Sequence, residues 1–130
     1  MIADSTVLID LWRLRRAPHR LVQLRAQLID PMVPWQVLFE FVRGAYFRGV
    51  TEAAIRRFLS PFGVLPGSEA QTWRAARIDA DLNLAGKTIG AADCWIAAAG
   101  LEENLPVITR NLAHFQRVPG LQVIGYSILP

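Results

Sequence analysis

Ile2-Ala-Asp4-Ser-Thr-Val-Leu-Ile-Asp10-Leu-Trp-Arg-Leu14 is the stretch from which the rest of the chain is read. Ile2-Ala-Asp4 is short and apolar up to its acid, and reads as a buried strand ending at Asp4. Ser5 and Thr6 are helix-starting residues. Val7, Leu8, Leu11, Trp12 and Leu14 follow at helical spacing. A strand thus passes straight into a helix, with a carboxylate at the junction.

The same alternation continues. Arg15-Arg-Ala-Pro-His19 breaks the first helical pattern, and Leu21, Leu24, Arg25 and Leu28 fit a second. Pro31-Met-Val-Pro34 is a short extended piece. Helices are expected over Trp35–Phe47, over Thr51–Leu59 with Thr51 as cap, from Ser68 to about Leu84 with Gly86 closing it, and over Ile89–Glu103. Phe62–Pro66, Pro106–Thr109 and Leu121–Ile124 read as strands, with a polar loop after Thr109. Short apolar strands between helices predict a three-layer α/β/α fold around a small, mainly parallel sheet. In such sheets ligands sit beyond the carboxyl ends of the strands, where Asp4 and Thr109 both fall.

Composition bounds the remainder. The 130 residues are expected to form one domain over 1–130, and 52% hydrophobic against 19% charged residues allows a real core. No apolar run reaches the roughly 18 residues that span a bilayer, so no membrane partner is expected. The first residues lack the pattern of a signal peptide, and a lone Cys94 excludes an internal disulfide framework. A cytoplasmic protein is the expectation. Thirteen of the fourteen cations are Arg, with Lys87 the exception. Guanidinium is a good phosphate fork, which suits a nucleic-acid partner; GC-rich coding gives the same bias.

Three carboxylates carry the chemistry. Asp93 is the one charged residue in Thr88-Ile-Gly-Ala-Ala-Asp-Cys-Trp-Ile-Ala-Ala-Ala-Gly-Leu101. On a helix its neighbours one turn away are Ile89, Gly90, Ile96 and Ala97, so its charge needs a partner or an ion. Two roles are open to Asp4: capping the helix, or standing free for chemistry while Ser5 or Thr6 caps. Glu40, in Val37-Leu-Phe-Glu-Phe-Val42, either pairs with Arg43 on the surface or joins a site beside Gly44, whose small surface allows close approach. Three acids suggest a hard cation such as Mg2+ or Mn2+. His19, His114 and Cys94 are too scattered for zinc, and no phosphate loop or nucleophile elbow is present.

At this point the chain resembles a PIN domain, and within that family the VapC-type toxins of toxin–antitoxin pairs. Asp4-Ser-Thr-Val-Leu-Ile is similar to the family's opening Asp-Thr/Ser-x-x-Leu-Ile. Glu40-Phe-Val-Arg-Gly44 matches its Glu-Leu/Phe-x-x-Gly, and Asp93-Cys-Trp-Ile-Ala-Ala its Asp-x-x-Ile-Ala-Ala. Thr109-Arg-Asn111-Leu-Ala-His114-Phe115 looks like its Thr-x-Asn/Asp-x-x-Asp/His-Phe. The resemblance implies an endoribonuclease that uses Mg2+ or Mn2+, with Asp4, Glu40 and Asp93 as direct or water-mediated metal ligands. Many relatives add a fourth acid where this chain has Asn111 and His114. Asn111 keeps a carbonyl oxygen for a metal-bound water, and the change implies one-metal chemistry or a second ion recruited with substrate. Thr109 either orients a carboxylate or water, or is a plain strand-end hydroxyl; His114 reads as a structural loop histidine.

The resemblance also implies RNA as substrate, a VapB-type antitoxin as partner over an apolar groove within Val33–Leu59, and a homodimer. Arg13, Arg15, Arg16, Arg20 and Arg25 suit RNA phosphates, an acidic antitoxin segment, or a solvated face. Another PIN nuclease role and a non-catalytic binding module are the alternatives.

Overall fold

The computed structural model describes residues 1–128. Among them five short strands form one all-parallel sheet in the order β3-β2-β1-β4-β5, flanked by helices. The strands are β1 (Ile2–Ala3), β2 (Met32–Pro34), β3 (Gly63–Leu65), β4 (Val107–Thr109) and β5 (Val123–Gly125). The helices are α1 (Ser5–Arg13), α2 (Pro18–Arg25), α3 (Trp35–Phe47), α4 (Glu52–Leu59), α5 (Glu69–Leu84), α6 (Ala91–Glu103) and α7 (Leu112–Phe115). This is the expected α/β/α arrangement. No described helix is long and apolar enough to cross a membrane.

The central strands β1 and β4 are fully buried and apolar up to Thr109 at the end of β4: Ile2, Ala3, Val107 and Ile108 have no exposed surface. A parallel sheet covered on both faces requires such continuous apolar strands. The chain runs outward from β1 through β2 to β3, then returns to β4 on the other side of β1. The β1/β4 boundary is therefore the point where strand order reverses, and sheets of this kind bind ligands beyond the carboxyl ends there.

Several boundaries differ from the sequence reading. Pro18 does not break a helix but starts one: it is the first residue of α2, a position where a missing N–H is no loss. Leu28 lies beyond that helix. The polar loop after Thr109 contains a short helix, α7. The last strand begins later, at Val123.

Helix α6 starts at Ala91 rather than Ile89, because Gly90 has φ +93° and ψ 152°, outside helical space. Asp93 is therefore in the first turn of α6, not in its middle. There the helix dipole favours a negative charge. The remainder of α6 is buried from Ile96 to Gly100, which accounts for its unbroken apolar sequence.

Trp12, Phe41 and Phe58 join α1, α3 and α4. Phe58 meets Trp12 edge-on at 5.1 Å between centroids and stacks on Phe41 at 5.2 Å. Each such pair adds about 0.5–1.5 kcal/mol beyond burial.

Candidate active site

Asp4 is 2% exposed and lies between β1 and α1. It is the cap of α1: Oδ1 accepts the Thr6 amide at 3.0 Å, the Val7 amide at 3.3 Å and the Thr6 hydroxyl at 2.5 Å. Of the two roles left open for Asp4, it takes the cap itself, in place of Ser5 or Thr6. Capping engages one oxygen, while Oδ2 points across the sheet and accepts the hydroxyl of Thr109, at the end of β4, at 2.5 Å. Thr109 is fully buried, and its Oγ1 in turn accepts the Asn111 amide at 2.8 Å. One carboxylate therefore ties the ends of β1 and β4 together at the reversal point.

Burial pushes the Asp4 pKa up from its usual value. The hydrogen bonds from Thr109, Thr6 and Val7 oppose that rise, and the charge of Asp93 adds to it. Asp4 and Asp93 are hence near enough to feel one another.

The partner of Asp93 is His114, whose Nδ1 lies 3.0 Å from Asp93 Oδ2 and 2.8 Å from the Asn111 side-chain amide. One ring nitrogen cannot donate to the carboxylate and accept from the amide together. A proton on Nδ1 satisfies Asp93 and requires Asn111 to turn its carbonyl oxygen toward the ring. His114 sits on α7 rather than in a loop, and it bridges the residues expected to hold a metal-bound water.

Glu40 is exposed on α3. It does not pair with Arg43, which instead stacks over Phe47 at 5.2 Å. Nor does any described segment approach Gly44 closely: an added Cβ there meets only Arg48 Nη2, at 3.9 Å. Among the described residues no group of three His, Cys, Asp or Glu side chains lies close enough to hold a metal together. Asp4, Thr109, Asn111, His114 and Asp93 form one linked set, and Glu40 is not drawn into it.

Mg2+ makes few demands that this set fails to meet. It takes oxygen ligands, binds through one or two carboxylates and keeps several waters. Two neighbouring acids, one of them buried so that its charge is disfavoured, fit that chemistry.

Behind Asp4 lies a second network absent from the sequence reading. Asp10, 4% exposed on α1, accepts the Tyr126 hydroxyl at 2.7 Å and pairs with Arg110 Nε at 3.2 Å. Tyr126 Oη is also 3.3 Å from Thr6 Oγ1, which accepts the Arg110 amide at 3.2 Å. That amide occupies a lone pair of Thr6, so the Thr6 proton is directed at Asp4. The available signal was an acid in Leu8-Ile-Asp10-Leu11, at a spacing that places it on the buried side of the helix. Its partners are 100 and 116 residues away in sequence, out of reach of any local pattern.

A groove of about 790 Å3 runs between α3 and α4, walled by Trp35, Phe39, Val42, Phe47, Ile55 and Leu59 among others. Phe39 and Phe47 are 62% and 78% exposed. This is the groove anticipated within Val33–Leu59.

Residues 1–121 match the family model of the PIN domain. The chain is 29% identical over 126 residues to Ribonuclease VapC of Rickettsia bellii, covering 95% of this chain and 94% of that one. It is 31% identical over 93 residues to the tRNA(fMet)-specific endonuclease VapC of Shigella flexneri, covering 69% and 70% of the two chains. Among solved structures it is similar to VapBC-1 from nontypeable Haemophilus influenzae, with a TM-score of 0.78, 26% identity, and 95% and 96% of the chains covered. It is also similar to a chain of a toxin–antitoxin complex from Klebsiella pneumoniae, with a TM-score of 0.74, 26% identity, and 95% and 94% covered.

Proposed function

This chain belongs to the PIN domain family, and from that premise we propose that it is a divalent-metal-dependent endoribonuclease, the toxin of a toxin–antitoxin pair. The observation that carries the reading is the buried Asp4 carboxylate, fixed by two threonine hydroxyls beside Asp93 at the strand-reversal point. The kinship with the VapC ribonucleases of Rickettsia bellii and Shigella flexneri supports both the reaction and its substrate class, RNA.

In this reading Asp4 and Asp93 would hold Mg2+ or Mn2+, and Glu40, outside the linked set, is the third proposed ligand. When bound, the ion would supply Lewis-acid charge to the phosphodiester. Thr6 and Thr109 hold Asp4 in one orientation, and its capping bonds keep it from turning away. His114 fixes the Asp93 carboxylate, while Asn111 offers a carbonyl oxygen to a water. One carboxamide in place of a fourth acid lowers the negative charge and favours a single resident ion.

The complexes of the Haemophilus and Klebsiella neighbours support a VapB-type antitoxin as partner of this chain. The α3–α4 groove suits an apolar antitoxin segment, with Arg43 among its lining residues for an acidic side chain. The whole chain acts as one cytoplasmic domain that pairs as a homodimer.

RNA cleavage by the purified chain with Mg2+ or Mn2+ tests the reading. Asp4→Ala and Asp93→Ala should each abolish cleavage. Cleavage that persists in both variants rejects the assignment.

A further inference from the structure

A second cleft, of about 480 Å3, opens on the sheet's carboxyl edge and is lined by Trp35, Gly67, Ser68, Glu69, Thr72 and Trp95. Trp35 directly follows β2, Gly67 lies two residues beyond β3, and Trp95 lies two residues beyond Asp93 in α6. The cleft thus stands along the same edge as Asp4 and Thr109. We infer that it is a nucleobase subsite, in which one unstacked RNA base lies on the Trp35 indole with its donor edge toward Glu69. The inference rests on the ribonuclease reading and names the part of the substrate that this cleft selects.

The indole is held in place. A Cβ at Gly67 would stand 2.2 Å from Trp35 Nε1 and 3.0 Å from Cδ1, so only glycine lets the ring lie this close to the backbone. Yet Trp35 remains 46% exposed. A fixed, half-exposed ring is a ready stacking surface, and stacking on aromatic side chains is how proteins hold unpaired RNA bases.

The polar groups of the cleft point to the base. Ser68 Oγ is engaged by the Gln71 amide at 3.1 Å, and Thr72 Oγ1 donates to the Ser68 carbonyl at 3.1 Å. The Glu69 carboxylate, in the first turn of α5, has no hydrogen-bond or ion-pair partner among the described residues. It is the uncommitted acceptor beside the ring. Guanine presents two adjacent N–H donors on its Watson–Crick edge, which match the two oxygens of a carboxylate; uracil presents one. The subsite therefore favours guanine. A protein segment is the poorer occupant, because the α3–α4 groove, which shares the Trp35 ring, is the more apolar of the two and its one carboxylate, Glu52, is paired with Arg56.

The test uses the full chain in EDTA and 2′-O-methyl RNA hexamers that differ at one position, read by fluorescence anisotropy, with cleavage of the matching RNAs measured separately in Mn2+. Trp35→Leu keeps apolar volume without a π face and should weaken binding roughly tenfold, whereas Trp35→Phe should retain most affinity. In cleavage the loss should fall on KM. Glu69→Gln should erase the preference for guanine over uracil while leaving uracil binding unchanged. Equal affinity of Trp35→Leu and wild type for every hexamer overturns the subsite. So does an effect of Trp35→Leu on antitoxin binding alone, which would assign the ring to a protein contact. Because binding is read without cleavage, a wild type that binds guanine through Trp35 but cuts no RNA upholds the subsite and rejects the nuclease reading instead.

Discussion

Thr109 donates its hydroxyl to Asp4 Oδ2 across the boundary of β1 and β4, at 2.5 Å and with both residues buried. Its own oxygen is occupied by the Asn111 amide, so the donor direction is fixed. Thr109→Val removes this hydroxyl at constant shape. It frees one carboxylate oxygen and orphans a backbone N–H. Stability should fall by about 1–3 kcal/mol, the range for a lost buried partner, read as a lower urea midpoint. Nucleolytic kcat should fall more than RNA affinity, since Asp4 loses orientation rather than charge. Unchanged cleavage with an unchanged midpoint would leave Thr109 a simple strand-end hydroxyl.

Tyr126 links the end of the described chain to α1. Its hydroxyl satisfies Asp10, an acid otherwise paired only with Arg110. Burial raises the Tyr126 pKa further above the usual phenol value, with the Asp10 hydrogen bond adding to it, so it stays a donor at all working pH. Tyr126→Phe should destabilise the fold by about 1–3 kcal/mol. It should also reduce cleavage modestly, through the Thr6 hydroxyl that Tyr126 neighbours. Equal thermal midpoints for variant and wild type would show the contact to be energetically idle.

Why the sequence disclosed one network and concealed the other follows from range. Trp35–Phe47 and Glu52–Leu59 are delimited by local signals, a preceding proline and a Thr51 cap, and both boundaries were read correctly. Asp4 and Thr109 each end an apolar strand, which marks both in sequence as residues of the ligand-binding edge of the sheet. Asp10, Tyr126 and Arg110 meet only after the sheet is assembled, and a lone acid in an apolar helix does not name its partner. Asp93 misled in a different way. Its apolar neighbours suggested a mid-helix charge without support, whereas Gly90 delays the helix and α7 brings His114 to it. Glu40 is the opposite case: its motif context is clear, but its side chain is exposed and outside the linked set.

Asp4 should make stability depend on pH in a definite direction. Burial raises its folded-state pKa above the unfolded 3.8. Between those two values folding takes up a proton, so this group's contribution falls as pH rises through the folded pKa. Asp4→Asn keeps a capping oxygen and removes the charge, but sets an amide N–H against the Thr109 hydroxyl, a cost that does not vary with pH. In EDTA the Tm of the variant relative to wild type should therefore rise from pH 4 to pH 7. Added Mn2+ at pH 7 should raise the Tm of wild type alone. A Tm difference that stays constant between pH 4 and pH 7 would contradict the burial penalty.

Asp93 and His114 separate the holding of an ion from its support. Asp93→Asn removes a proposed ligand and leaves a neutral side chain beside His114; calorimetry should find no Mn2+ binding up to millimolar concentration, with the fold intact by circular dichroism. His114→Ala keeps the Asp93 carboxylate but frees it from the bond that orients it. Losing such a supporting partner typically lowers metal affinity about 10–100-fold without abolishing it. The two variants should therefore differ in kind. Normal Mn2+ affinity in Asp93→Asn would remove Asp93 from the ligand set. Equal, complete loss in both would make His114 a ligand in its own right.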